Sequence, residues 1–435
     1  MDTFVIEGGR RLDGTIRING SKNAALPLMA AALLTDQPLT LRGVPDLADI
    51  RNMRRLLAEL GVEIGDNDGG MRLHAVDESE SHARYDIVRT MRASICALGP
   101  MLARRGAARV SMPGGCAIGD RPVDLHLRGL VALGAHIELE GGDIIAKAPG
   151  GRLRGDTIFL GGAFGSTVLG TANVMSAATL AEGITVIESA ACEPEIVDLA
   201  RLLTAMGAQI EGAGSPRITI RGVESLGGAD HAVIPDRIEA ATYMCAAAIT
   251  NGSLVLEDCP LDCLLAVTDR LEAAGVHVEP LDSGATGADP MRRLVRVTAE
   301  RVLRPIEVTT QPHPGFPTDV QAQLMALLCL ADGNSVVTEK IFPERFLHVA
   351  ELSRMGARLF RVGNTVVVSG VRTLKGAPVM ASDLRASAGL VLAGLAAEGT
   401  TVVNRVYHLD RGYEKMEERL AAAGAAITRV DDRAV

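Results

Sequence analysis

Leu60-Gly-Val-Glu-Ile64 recurs five more times along the chain. The copies are Leu133-Gly-Ala-His-Ile137, Met206-Gly-Ala-Gln-Ile210, Ala274-Gly-Val-His-Val278, Met355-Gly-Ala-Arg-Leu359 and Ala423-Gly-Ala-Ala-Ile427, spaced 68 to 81 residues apart. Each reads as a helix that ends on Gly and turns into a strand, because Gly reaches the left-handed backbone that closes helices. Regular recurrence at such a period means one supersecondary unit copied six times.

Each copy has a second half: a small-residue apolar helix, a Gly-containing turn and a β-branched strand. These halves begin near Lys22, Arg92, Ser166, Arg237, Asp319 and Arg385. The first runs through Asn23–Leu34 into Leu39–Val44, and the last through Leu384–Ala396 into Thr400–Val406. Nearly free of charge, these helices should be buried on most faces. Four of the six starts carry Lys or Arg. Helix N-termini favour anions, so charges gathered there fit a binding site built between copies. The other reading, single charges each capping one buried helix, is equally open on this pattern.

Composition narrows the classes. The 435 residues are 47% hydrophobic and 22% charged, as in ordinary globular proteins, and the length suggests two or three domains. Six βαβ-type copies do not fit one core, so three plus three is the natural division. Aromatics at 3%, no Trp and a net charge of −9 argue against a nucleic-acid partner. The N-terminus lacks the features of a secretory signal. The longest apolar run, 386–397, falls short of the roughly 20 residues a membrane span needs. A cytoplasmic location without membrane association is expected. The seven Cys are odd in number and show no CxxC spacing, which argues against disulfide scaffolding and a zinc ribbon. The segment 282–290 reads as a surface excursion between two strands.

Several chemical motifs fail. Gly14 to Lys22 has five residues between its glycines where a P-loop has four, and Gly212-Ala-Gly214 lacks the third glycine of a dinucleotide fingerprint. No His pair has zinc-ligand spacing, so no metal and no cofactor are expected. Met112-Pro-Gly-Gly-Cys-Ala-Ile-Gly-Asp-Arg-Pro122 is different: glycines and prolines around Cys116 describe a lid-like loop, about 111–122. Asp120, Arg121 and exposed amides give an electropositive setting that would activate a thiol. A packed thiol in a turn fits the same residues.

The segments Ser21-Lys-Asn-Ala-Ala-Leu-Pro27, Thr90-Met-Arg-Ala-Ser94, Pro113-Gly-Gly-Cys116 with Arg121-Pro-Val-Asp-Leu-His126, Pro235-Asp-Arg-Ile-Glu239, Phe316-Pro-Thr-Asp-Val-Gln-Ala-Gln323, and Asp383-Leu-Arg-Ala-Ser387 with Asp410-Arg-Gly-Tyr-Glu414 resemble the enolpyruvyl transferases, in the branch acting on UDP-N-acetylglucosamine. The resemblance runs from Met1 to about Arg429. It implies an α/β fold: a two-domain inside-out α/β barrel of six βαβαββ repeats, three per domain, with the ligand cleft between domains. The domains would be 22–233, bearing the lid, and 1–21 plus 234–435.

The implied reaction moves the enolpyruvyl group of phosphoenolpyruvate to the 3′-hydroxyl of UDP-N-acetylglucosamine and releases phosphate. It would commit the sugar to peptidoglycan, hence to the cell wall, cell shape and division. No obligate protein partner is implied. By the resemblance Lys22, Arg121 and Arg411 are phosphate-side cations and Arg92, Arg345 and Arg385 further cleft arginines. Cys116 is the lid thiol that serves as general acid or forms an adduct, and Asp319 is the base at the sugar hydroxyl. From its own sequence context, Pro-Thr-Asp, Asp319 reads first as an ordinary helix N-cap. Asn23 would position the sugar and Asp383 assist near phosphate. Pro122, Val123, Asp124 and Leu125 would contact uracil, with Phe164, Gly165 and Ile341 also lining the nucleotide site. Asp236 and Arg237 match a conformational element. Two departures stand out: Ala163 where Ser is expected, and Cys192 where Arg is common. The alternatives are 5-enolpyruvylshikimate-3-phosphate synthase, which lacks the Pro-Gly-Gly-Cys lid, an RNA-end cyclase, and a catalytically silent nucleotide-sugar-binding protein.

Overall fold

The computed structural model describes residues 2–67, 69–113, 123–281, 289–300 and 302–431. The chain forms two compact units. One runs from the N-terminus to Asn19 and resumes at Pro235; the other runs from Gly20 to Ile234.

The six glycines that open the repeat all have positive φ, from 82° at Gly61 to 110° at Gly207. Each follows an amphipathic helix, such as Ala48–Glu59 or Pro194–Ala205, and leads into a strand, Val62–Asn67 or Gln209–Glu211. This conformation strains any residue with a Cβ, which is why Gly recurs at this point.

Six four-stranded sheets lie among the described residues, three in each unit, and all share one topology. The first strand pairs parallel with the second, and the remaining neighbours pair antiparallel. Thus Thr157–Phe159 lies parallel to Ile184–Glu188, which pairs antiparallel with Arg217–Arg221. In the other unit Glu307–Thr309, Asn334–Thr338 and Thr365–Ser369 repeat the arrangement. Equivalent registers bring together Ile187 with Ile218, Val337 with Val366, and Phe4 with Val403, all fully buried. Strands from distant sequence complete the sheets. Asp13–Arg17 joins Ser253–Cys259, Ala229–Ala232 joins Leu39–Arg42, and Asp2–Glu7 sits between Thr400–Asn404 and Ala426–Asp431.

The sheets bury one face each, as in the alternation of Asn334–Thr338, and the apolar helices fill the interior. Arg237–Ile249 is buried at every position and Gln321–Leu328 likewise. These two pack against Leu384–Ala396 in the core of their unit. The small residues allow the contact: a Cβ at Gly389 would lie 2.8 Å from the Ala322 carbonyl oxygen. No helix among the described residues is long and apolar enough to cross a membrane.

Candidate active site

Helix starts place the charged groups in both units. In the Gly20–Ile234 unit, Ser21 caps Lys22–Ala30 by accepting the Ala24 amide at 3.3 Å. Lys22 is therefore free of capping duty. Its ammonium is buried and donates to Asp49 Oδ2 at 3.0 Å, with the Asp49 side chain only 4% exposed. A buried pair of this kind holds each charge in place, since either one alone would be left unsolvated. Asn23, half-buried, follows on the same turn, and half-buried Arg92 opens the 3-10 turn Arg92–Ala97 packed on this helix.

Val123 is buried and precedes Asp124–Ala132, whose first turn carries exposed Asp124 and half-buried Leu125. Gly162 and Gly165 exchange backbone hydrogen bonds of 2.8 and 3.2 Å, forming a tight turn with Gly165 at φ 109° and Phe164 exposed. Leu125 reaches this turn: a Cβ at Gly162 would meet its Cδ1 at 3.1 Å. Arg128 donates to the Gly161 carbonyl at 2.8 Å. The structure thus brings Leu125, which follows Asp124 in the first turn of its helix, against the turn that carries Phe164 and Gly165. Asn173 secures it from beneath. Its Nδ2 donates to the Ile95 carbonyl and to His126 Nδ1, both at 2.8 Å, and its Oδ1 accepts the Gly99 amide at 2.9 Å.

The second unit holds a denser cluster. Asp319 lies in the 3-10 turn Thr318–Val320, and Val320 is the N-cap residue of the following helix Gln321–Leu328, which has no side-chain cap, so the N-cap reading does not hold. Instead Arg345 Nη1 donates to Asp319 Oδ1 at 2.7 Å and Arg385 Nη2 approaches Oδ2 at 3.4 Å. Both arginine side chains are over nine-tenths buried, while that of Asp319 is 25% exposed. Arg385 stacks 5.3 Å from the Tyr413 ring centroid, and its Nε and Nη1 have no hydrogen-bond partner among the described residues.

Asp383 caps Leu384–Ala396 by accepting the Arg385 and Ala386 amides at 2.9 and 3.1 Å. Beside it lies His348, whose imidazole is pulled down to about 4 by burial, with Asp383 opposing and Arg345 assisting. Arg411, half-buried, ends the turn Val406–Arg411; burial and then the Arg411 charge hold His408 below its ordinary value. The next residue, Gly412, packs so closely that a Cβ would meet the Leu384 side chain at 2.6 Å. Arg411 is thereby tied to the same helix start. Half-buried Ile341 hangs by its amide on Glu339, 2.8 Å away. Asp236 caps Arg237–Ile249, with Arg237 buried.

The cations at helix starts are therefore not the caps; Ser21, Asp236 and Asp383 are. Cys116, Arg121 and Pro122 lie outside the described residues, as does most of 282–290. The strands flanking that excursion, Val276–Pro280 and Arg293–Ala299, pair antiparallel. The sequence reading missed Asp49, His348, Thr318, Glu339 and Asn173. Asp49 alone carries a local cue, as an acid in the first turn of an amphipathic helix. A groove near 780 Å³, lined among others by Arg51, Arg54, Asp46 and Asp66, contains none of the expected residues.

Comparison with known proteins follows the same lines. The EPSP synthase (3-phosphoshikimate 1-carboxyvinyltransferase) family matches residues 6–420. A UDP-N-acetylglucosamine 1-carboxyvinyltransferase of Anaeromyxobacter sp. is 54% identical over 99% of both chains. One of Cereibacter sphaeroides is 56% identical over 99% of this chain and 100% of its own. Among solved structures, the enolpyruvyl transferase NikO from Streptomyces tendae superposes with a TM-score of 0.87 at 26% identity, covering 99% of each chain. An EPSP synthase from Acinetobacter baumannii shares the fold, with a TM-score of 0.75 at 18% identity over 99% of this chain and 100% of its own. Repeats, helix-start charges and full-length likeness agree: the chain belongs to the UDP-N-acetylglucosamine 1-carboxyvinyltransferases, a branch of the enolpyruvyl transferases with the EPSP synthase fold.

Proposed function

We propose that the protein transfers the enolpyruvyl group of phosphoenolpyruvate to the 3′-hydroxyl of UDP-N-acetylglucosamine. Addition across the vinyl bond gives a tetrahedral intermediate, and elimination releases phosphate, in the first committed step of peptidoglycan synthesis. Lys22, Asn23, Arg92, Cys116 and Arg121 would come from the domain 22–233. Asp319, Arg345, Asp383, Arg385 and Arg411 would come from 1–21 plus 234–435. A cytoplasmic location suits both substrates.

The observation that carries this reading is the carboxylate of Asp319 between two buried guanidinium groups. Each such pairing is worth roughly 3 kcal/mol at a separation of about 5 Å and an effective dielectric near 20. So held, Asp319 is a poor base, because neighbouring cations favour its ionised form. An anionic donor changes this. The Arg385 guanidinium, its Nε and Nη1 buried against the Tyr413 ring, would have to turn to meet a substrate carboxylate, and that turn would draw it away from Asp319. Asp319 would become basic when the sugar hydroxyl must lose its proton. Cys116 would deliver the proton to the vinyl carbon, and Lys22, Arg121 and Arg411 would hold the phosphate that departs. Pro122, Val123, Asp124, Leu125, Phe164, Gly165 and Ile341 would receive the nucleotide.

The test is a coupled phosphate-release assay offering UDP-N-acetylglucosamine and shikimate 3-phosphate in parallel, each with phosphoenolpyruvate. Release with the nucleotide sugar alone is expected. Release only with shikimate 3-phosphate, or with neither, overturns the reading.

A further inference from the structure

We propose that Glu339 and Thr318 are positioning residues for the reaction, Glu339 acting through the Thr318 hydroxyl to set where Arg345 meets Asp319. The inference rests on the assignment of Asp319 as base. Glu339 is fully buried just beyond the strand Asn334–Thr338, and four donors converge on it. Its Oε1 accepts from Thr310 Oγ1 at 2.7 Å, the Ile341 amide at 2.8 Å and the Phe342 amide at 3.0 Å. Its Oε2 accepts from Thr318 Oγ1 at 2.8 Å.

The polarity of the chain follows from the donor inventory. Guanidinium groups only donate, so Thr318 Oγ1 must accept from Arg345 Nη1, 3.0 Å away. Its single proton then has to point at Glu339. The same Nη1 continues to Asp319 Oδ1 at 2.7 Å. Glu339 also anchors the amide of Phe342, whose ring centroid lies 5.8 Å from the Arg345 guanidinium carbon. Both the hydroxyl and the ring that locate Arg345 thus depend on one carboxylate. An amide in its place would serve the three donors on Oε1 but would turn an N–H toward Thr318. A buried carboxylate is costly, and acceptor capacity on both oxygens is what it alone supplies.

Other charged groups surround this chain. Arg385 faces Asp319 from Leu384–Ala396, with Tyr413 and Asp236 beside it, while His348 and Asp383 lie beside Arg345. Among the described residues none of them hydrogen-bonds to the Glu339 carboxylate, whose partners are Thr310, Thr318, Ile341 and Phe342. Altering Glu339 or Thr318 therefore acts on Asp319 through Arg345.

The experiment compares wild type, Thr318→Val, Thr318→Ser and Glu339→Gln by steady-state phosphate release between about pH 5.5 and 9, where an acid limb reports the base. Thr318→Val and Glu339→Gln should lower kcat about 10- to 100-fold, the scale of a small misplacement of catalytic groups. Their acid limb should move to higher pH, because a loosened Arg345 favours the ionised carboxylate less. Thr318→Ser should restore rate and limb to within about threefold, since it keeps the hydroxyl. Alkylation of Cys116 by a phosphonate epoxide should persist in all, reporting an intact fold. Wild-type rates in both variants, a lower rate with an unmoved limb, or no recovery with Ser would each overturn the inference. If Thr318→Val does not fold, Glu339→Gln, which retains Oε1, asks the same question. Failure of the functional reading is separate: it appears as an inactive wild type.

Discussion

Burial sets the character of five thiols among the described residues. Cys96, Cys245, Cys259 and Cys329 are buried, and desolvation pushes each thiol up to about 12. Cys192 is half-buried and raised by burial, with Glu193 adding to the effect. Such thiols are poor nucleophiles at neutral pH, because the thiolate is the reactive form. Fosfomycin should therefore leave one adduct, and peptide mass mapping should place it on Cys116. An adduct on Cys192 or Cys259 would contradict the assignment of the reactive thiol. At this scale the sequence marked Lys22, Asp319 and Arg385 but not what each touches. Asp49 is 27 residues from Lys22 and Arg345 is 26 from Asp319, so only the packed fold could pair them.

At the scale of elements, the repeat glycines do two different things. Gly134 has φ 88° and open space where a Cβ would stand, whereas a Cβ at Gly61, φ 82°, would lie 1.9 Å from the Asp77 carbonyl oxygen. Gly134→Ala should cost about 1 kcal/mol from backbone strain alone. Gly61→Ala should cost distinctly more, because the backbone itself must move. Thermal unfolding of the two variants checks the ordering; equal losses would show that strain in the turn is the whole penalty. Here the sequence was highly legible. A period-3.6 helix, a left-handed Gly and a β-branched strand are local events, and six copies make the pattern plain. The short 3-10 turns at Arg92 and Thr318 were not legible, since tertiary contacts decide whether a first turn tightens.

For the molecule as a whole, two buried groups govern how the stability of their unit responds to pH. Burial pushes the Glu239 carboxyl from 4.5 up to about 8, and burial pulls His348 from 6.5 down to about 4. Between about 4.5 and 8 the folded chain keeps a proton on Glu239 that the unfolded chain has lost. That contribution is complete below 4.5 and disappears as pH rises through 8. His348 works the other way: its contribution is complete above 6.5 and is lost as pH falls through 4. The slopes oppose one another up to about pH 6.5, and beyond it Glu239 acts alone. Denaturant titrations should show stability falling from about pH 6.5 to 8, and Glu239→Gln should remove the fall. A flat wild-type curve, or a fall that survives the substitution, would argue against it.

The sequence by itself determined the six-fold repeat, the burial of uncharged helices and the residues at their starts, because periodicity and composition act over a few turns of chain. Only the tertiary structure decided that Lys22 is pinned by Asp49 and that Asp319 lies between Arg345 and Arg385. The physical reason is range: pairs of this kind form between groups that sequence separates and packing brings within hydrogen-bond distance, where desolvation makes each partner depend on the other.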